Sequence, residues 1–303
     1  MTPFKILLCP LVTSDFKRAQ RVITSCLIQK DFQIASDIHV VINSQDDEFI
    51  KQVSIFCKKN EIKSTVTQCD GTPATGKNSA FDVFLNSDCS HLSQIDGDDF
   101  FYPTFLKHMQ RHLFKFLTTD VLATLPSDLI STKDEPRYKL LENGHFALCW
   151  FTNYGNYSTS SMFGEDRIFS PYHTGNYGRF VLYSRKVAER FRFDPEFIVG
   201  EDLKLHFEFL HAFQKDEICY WFSTASDTWV RDTSSFGVQK KHSNFLKDGE
   251  YHIVEDKQLI KKLKEYIENN MLRERSAPAE IPIDYAPVFL NHLEKFEFLE
   301  KFI

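Results

Sequence analysis

The chain has 303 residues, 42% of them hydrophobic and 26% charged, with a net charge of −6 from 36 basic and 42 acidic side chains. This is a globular composition with enough apolar material for a sizeable core, and it excludes a disordered chain, a collagen-like chain and a disulfide-stapled miniprotein. The acidic balance also weighs against a nucleic-acid partner held by the overall field of the protein.

Residues 5–12 form a short apolar run ending at Thr13-Ser14-Asp15, which can cap a helix. The run contains Pro10 and is too short for a signal peptide, so it reads as a first core strand. Residues 16–30 carry Ala19, Val22, Ile23 and Leu27 at helical spacing. Residues 38–43 (IHVVIN) are β-branched and apolar, a buried strand. Asn43, Ser44, Gln45, Asp46 and Asp47 then lead into a helix with Phe49, Ile50, Val53 and Phe56 on one face. Residues 63–68 alternate as a third strand, 76–86 form a short helix, and 91–95 a fourth strand running into Asp96-Gly97-Asp98-Asp99. A helix over 103–117 starts on a proline, whose missing N–H costs nothing there, and 121–125 is a fifth strand.

This repeated strand–helix alternation predicts an α/β fold with a mostly parallel sheet and helices on both faces. Ligands of such sheets bind beyond the carboxyl ends of the strands. The polar clusters at 13–14, 43–47, 70–76 and 96–99 all fall at those ends. The alternation lapses over 131–178, a stretch rich in Gly, Asn, Ser and aromatic residues. Its aromatic content argues against disorder, and long irregular stretches in compact domains are often functional. Residues 179–183 read as a strand, 185–191 and 201–213 as helices, and 218–222 and 228–231 as strands. Beyond Gly237 two helical patterns, 254–271 and 288–302, flank a proline-containing linker.

Three groups of residues can carry chemistry. Asp96 and Asp98, two apart on an extended segment, project to one side, and carboxylates held close need a cation between them. Hard oxygen ligands suit Mg²⁺ or Mn²⁺. The alternative is an acidic turn capping the next helix. Gly200-Glu201-Asp202 opens a helix, where the dipole stabilises carboxylates and one can face a cleft as a general base. A second Gly-Glu-Asp, at 164–166, has no helical pattern after it. The turn from Asp70 to Asn78 holds Gly71, Gly76 and Lys77 before a helix and can offer N–H groups to phosphate, although Asn78 breaks the P-loop pattern. The sequence has no HExxH zinc motif, no G-x-S-x-G elbow and no G-x-G-x-x-G after its first strand. The seven cysteines lack C-x-x-C spacing, which predicts reduced thiols and a cytoplasmic location. No apolar stretch approaches the roughly 20 residues that span a bilayer.

In this order the motifs resemble those of the GT-A fold glycosyltransferases, especially family 2, over roughly residues 5–235. The first strand has a polar end at 10–14. Asn43–Asp47 follow the second strand. Gly71–Asn78 parallel a G-x-x-x-A-R-N turn, with Lys77 where the family has Arg. Ile95–Pro103 carry the Asp-x-Asp element, and Glu201-Asp202 the late acidic pair. The resemblance implies transfer of a sugar from a UDP- or GDP-linked donor to a carbohydrate or other hydroxyl acceptor, with inversion and with Mn²⁺ or Mg²⁺. It implies metal ligation by Asp96, Asp98 and Asp99. Donor contacts would come from Pro10, Thr13, Asn43, Asp46, Asp47, Gly76, Lys77 and Asp96. Asp202 would be the base, with Glu201 as the second candidate. Arg179, Trp150, Tyr154 and Tyr177 would wall the acceptor site, and Asp232 or His242 would supply a third metal ligand. The organisation is a transferase domain over 1–236 and a helical extension over 237–303, through which two copies can pair. Two other readings stay open here: a nucleotidyltransferase acting on a sugar phosphate, and a non-catalytic nucleotide- or carbohydrate-binding module.

Overall fold

The computed structural model describes residues 4–31, 34–67, 72–115, 119–124, 128–130, 138–140, 146–148, 179–196, 201–223, 228–232, 246–247, 250–251 and 283–284. Strand β1 (Lys5–Val12) leads to helix α1 (Phe16–Leu27), β2 (Ala35–Ile42) to α2 (Asp47–Lys59) and β3 (Lys63–Val66) to α3 (Pro73–Leu85). Strand β4 (His91–Asp96) reaches α4 (Phe105–Lys115) through a two-residue strand, β5 (Phe100–Phe101). Then come β6 (Val121–Thr124), β7 (Asp128–Ile130), β8 (Tyr138–Leu140), β9 (Phe146–Leu148), β10 (Arg179–Ser184), α5 (Arg185–Arg190), α6 (Glu201–Gln214), β11 (Tyr220–Ser223) and β12 (Trp229–Asp232). Three short strands follow: β13 (Leu246–Lys247), β14 (Glu250–Tyr251) and β15 (Ile283–Asp284). The helices expected over 254–271 and 288–302 lie outside the described residues.

The main sheet has the order β15-β11-β6-β10-β4-β1-β2-β3. Neighbours are parallel except at β10, which runs antiparallel to both β4 and β6. A smaller sheet pairs β12 with β5 and β7, and β8–β9 and β13–β14 are antiparallel pairs. The edge strand β15 comes from the segment beyond 236 and pairs with β11.

Side-chain alternation along β1 divides the core in two. Leu7, Cys9 and Leu11 pack with Phe81, Phe84, Val187, Leu205 and Phe209, the layer of α3, α5 and α6. Ile6, Leu8 and Val12 pack with Val22, Ile23, Val53, Phe105 and Met109, the layer of α1, α2 and α4. Helices therefore cover both faces, as the alternation predicts. Among the described cysteines, Cys9, Cys26, Cys57 and Cys89 are buried free thiols and Cys219 is a half-buried one. Among the described residues no helix is long and apolar enough to cross a membrane.

Local chemistry sets the helix starts. The Asp15 side chain accepts from Arg18 N, that of Asp46 from Glu48 N and Phe49 N, and that of Thr72 from Thr75 N. Each such cap stabilises its helix by about 1 kcal/mol. Thr72 and Pro73 start α3 three residues before the sequence-predicted Gly76. Arg185 closes the other end of that helix: its guanidinium donates to the carbonyls of Phe84, Leu85, Ser87 and Cys89.

Candidate active site

The strand register builds the rim. Leu11 is level with both Val41 and Asp96, and Val12 with Ile42. The carboxyl ends of β1, β2 and β4 thus finish together, and the chain beyond each turns over the same edge of the sheet.

At the end of β4 the chain makes a turn in which Asp99 N–H donates to the Asp96 carbonyl at 3.0 Å. One carboxylate oxygen from each of Asp96, Asp98 and Asp99 lies within 4.8 Å of the other two. The grouping arises from this turn and not from an extended strand, which is why Asp99 joins the set as well as Asp98. Gly97 allows the turn to sit against β1, since a Cβ there would stand 2.9 Å from Leu11 O and 3.0 Å from Val12 Cα. Helix α1 holds the turn from the other side. Arg21 Nη2 donates to the Asp98 carbonyl at 2.8 Å, its guanidinium lies 4.7 Å from the centre of the Phe100 ring, and Ser25 Oγ accepts from Phe101 N. Three hard oxygen donors suit a divalent cation. Asp96, Asp98 and Asp99 are therefore the residues that would hold such an ion.

The second acidic set meets a buried lysine. Lys77 Nζ donates to Glu201 Oε1 at 2.8 Å and to Asp202 Oδ1 at 2.5 Å. The Lys77 and Glu201 side chains are 7% and 8% exposed, whereas that of Asp202 is 46% exposed. Burial alone would pull the lysine down. Asp202, Glu201 and Asp96 outweigh it and hold the ammonium well above its ordinary value. Burial pushes the Glu201 carboxyl up to about 7, against the pull of Lys77 and with Asp202 adding to the rise. One ammonium thus serves two carboxylates, and the surplus negative charge has its wet side at Asp202.

The turn into α3 explains why these groups meet. A Cβ at Gly76 would stand 2.6 Å from Leu11 Cδ1 and 2.9 Å from Asn43 Nδ2, so the missing side chain lets α3 lie close to β1 and the end of β2. Lys77 reaches α6. Asn78 Nδ2 donates to Phe193 O at 2.8 Å and Phe193 N donates to Asn78 Oδ1 at 2.9 Å, which pins the strand-like segment leading toward α6. The Phe193 ring lies 5.2 Å from Lys77 Nζ. Sequence reading missed Phe193 and Arg21 as parts of the site, and it placed Asn78 in the turn without a partner. The Lys77–Glu201 contact spans 124 residues and leaves no local pattern.

The remaining donor-contact candidates are distributed along the rim. Thr13 is exposed just past β1, while Pro10 is buried inside the sheet in register with Ile95. Asn43 is used at both ends of its amide, accepting from Thr67 Oγ1 and donating to Thr72 O. Asp46 caps α2, and Asp47 sits exposed in its first turn. Arg179 opens β10 level with Thr124, and Asp232 ends β12 level with Ile130. Trp150, Tyr154, Tyr177, His242 and the second Gly-Glu-Asp at 164–166 lie outside the described residues.

Among solved structures the chain has the GT-A α/β fold, that of the family 2-like glycosyltransferase TarS. The crystal structure of S. aureus TarS matches 76% of this chain and 37% of its own, at 15% identity and a TM-score of 0.51. That of S. aureus TarS 1–349 in complex with UDP-GlcNAc matches 87% of this chain and 67% of its own, at 14% identity and a TM-score of 0.55. The present chain therefore spans little more than a third of the longer TarS chain. No protein-family model matches the sequence, and no curated protein matches it.

Proposed function

We propose that this protein is a metal-dependent glycosyltransferase that moves a sugar from a nucleotide-sugar to a hydroxyl acceptor with inversion. The observation that carries the reading is the pairing of two acidic sets on one rim: three carboxylates within 4.8 Å at the end of β4, and the Glu201–Asp202 pair at the start of α6. The first set is chemically suited to a cation and the second to a base. The fold shared with TarS supports the same class, and the UDP-GlcNAc held by TarS 1–349 makes a UDP-linked sugar the first donor to test.

In this reading Asp96, Asp98 and Asp99 hold Mn²⁺ or Mg²⁺. When bound, the ion neutralises charge on the diphosphate leaving group. Asp202, half-exposed where Glu201 is buried, accepts the proton of the acceptor hydroxyl. The acceptor oxygen forms its bond to the anomeric carbon, the bond from that carbon to the diphosphate breaks, and its electron pair leaves with the nucleotide. Arg21 fixes the backbone of the acidic turn, and Asn78 fixes the approach to α6.

The test is nucleotide release from a panel of nucleotide-sugars led by UDP-GlcNAc, with and without Mn²⁺. Expected is turnover that chelation abolishes and that Asp98→Asn lowers about a hundred-fold or more. Turnover indifferent to both changes would overturn the reading. Pyrophosphate release from a nucleoside triphosphate would replace it with a nucleotidyltransferase.

A further inference from the structure

We propose that Lys77 is the positioning residue of the base, acting on the acceptor half of the site and not as a contact to the nucleotide. This rests on the glycosyltransferase reading above and assigns a division of labour within it. The resemblance to family 2 suggests a lysine beside the donor. The geometry instead turns its ammonium onto Glu201 and Asp202, at 2.8 and 2.5 Å.

The argument is one of charge and burial. A buried ammonium needs a partner, because breaking such a pair leaves an uncompensated charge in the interior. Glu201, equally buried, supplies that partner. Above about pH 7, where the raised Glu201 carboxyl is ionised, the two side chains together form a neutral anchor within the α3–α6 layer. Asp202 is then held by the same ammonium without being needed to neutralise it, and its remaining surface faces water. A carboxylate so placed can accept a proton while Lys77 stays compensated by Glu201. One further contact fixes the ammonium, the Phe193 ring at 5.2 Å, and the charge of Asp96 in the acidic turn favours it from farther away. Asn78, the next residue, ties the backbone of that same Phe193 to α3. Consecutive residues of one helical turn thus set the height of the base and its orientation. Glu201 is accordingly the counter-ion of the anchor and not a second base.

The experiment compares wild type, Lys77→Met, Lys77→Arg and the double variant Lys77→Met/Glu201→Gln. The double variant removes the buried carboxylate that Lys77→Met strands, and it keeps the test open if the single variant folds poorly. UDP with Mn²⁺ is the binding probe, and hydrolysis of UDP-GlcNAc by water is the turnover probe. Expected for both Met variants is UDP affinity within about three-fold of wild type, KM little changed, and kcat down about a hundred-fold, in the range a general base contributes. Lys77→Arg keeps the charge and recovers at least ten-fold of that loss. UDP affinity falling in step with kcat would overturn the proposal by making Lys77 a nucleotide contact. Unchanged kcat in the Met variants would overturn it while leaving the glycosyltransferase reading intact. A wild-type protein that turns over no nucleotide-sugar would overturn that reading and this one with it.

Discussion

Replacing Gly97 with alanine tests the close fit between the acidic turn and the first strand. The clash is with main chain: Leu11 O at 2.9 Å and Val12 Cα at 3.0 Å, with Val12 Cγ1 at 3.3 Å behind them. Ordinary contact begins near 3.4 Å, so the turn must retreat from β1 by about half an ångström. Neither strand can yield easily, because β1 is paired on both sides and Leu11 is level with Asp96 itself. Overpacking of this kind costs roughly 1–3 kcal/mol. The lost flexibility of the unfolded chain offsets about 0.4–1 kcal/mol of that. The net is a destabilisation of about 1–2 kcal/mol, or a Tm lower by roughly 2–3 °C for a chain of this size. The same displacement separates Asp96 and Asp98 from their common centre by about as much as a preorganised site tolerates. Mn²⁺ affinity, read from the electron paramagnetic resonance of the free ion, is expected to fall about ten-fold or more. An alanine variant with wild-type Tm and wild-type Mn²⁺ affinity would refute both the packing argument and the assignment of this turn as the ion site.

Two further outcomes are expected. Asn78→Ala removes both hydrogen bonds to the Phe193 backbone; a loss of about 2 kcal/mol in chemical denaturation, with kcat reduced and UDP affinity kept, is the result to look for, and a neutral effect on both would contradict the pinning role. Burial disfavours the charged form of Glu201 and pushes its carboxyl up from the ordinary 4.5 to about 7. The folded state therefore binds the extra proton between those values, and the contribution of this group to stability is present below pH 4.5 and is lost as pH rises through 7. Glu201→Gln lacks that titration, so its stability relative to wild type should improve from pH 5 to pH 8; parallel stability curves would contradict the assignment.

The fold was legible where a residue pattern is local. The apolar runs of β1, β2 and β4 and the helical spacing of α1 and α2 each lie within one element, and Thr72-Pro73 is a local start signal for α3 that precedes the expected Gly76. Strands of two or three residues, such as β5, β7 and the β8–β9 pair, have no period to detect and exist through their partners. The same division holds at the site. Asp96, Asp98 and Asp99 are neighbours in the chain, so their grouping shows in the sequence, although a turn and not an extended strand gathers them. The ion pairs of Lys77 join α3 to α6 across more than a hundred residues. Nothing near Lys77 in the chain announces them, so the motif alone leaves the partners of this lysine unnamed.

Strand β10 is the one reversed member of the main sheet, and its first residue, Arg179, is level with Thr124, the last residue of β6. The described residues between those two positions, β7, β8 and β9, pair outside the main sheet, so the chain makes an excursion between β6 and β10. The free energy of closing such an excursion changes by only about 0.6 kcal/mol for each doubling of its length. A two-fold change in the length of the chain between β6 and β10 is therefore expected to shift the stability of the sheet by less than about 1 kcal/mol, leaving the register of β10 on β6 as it is.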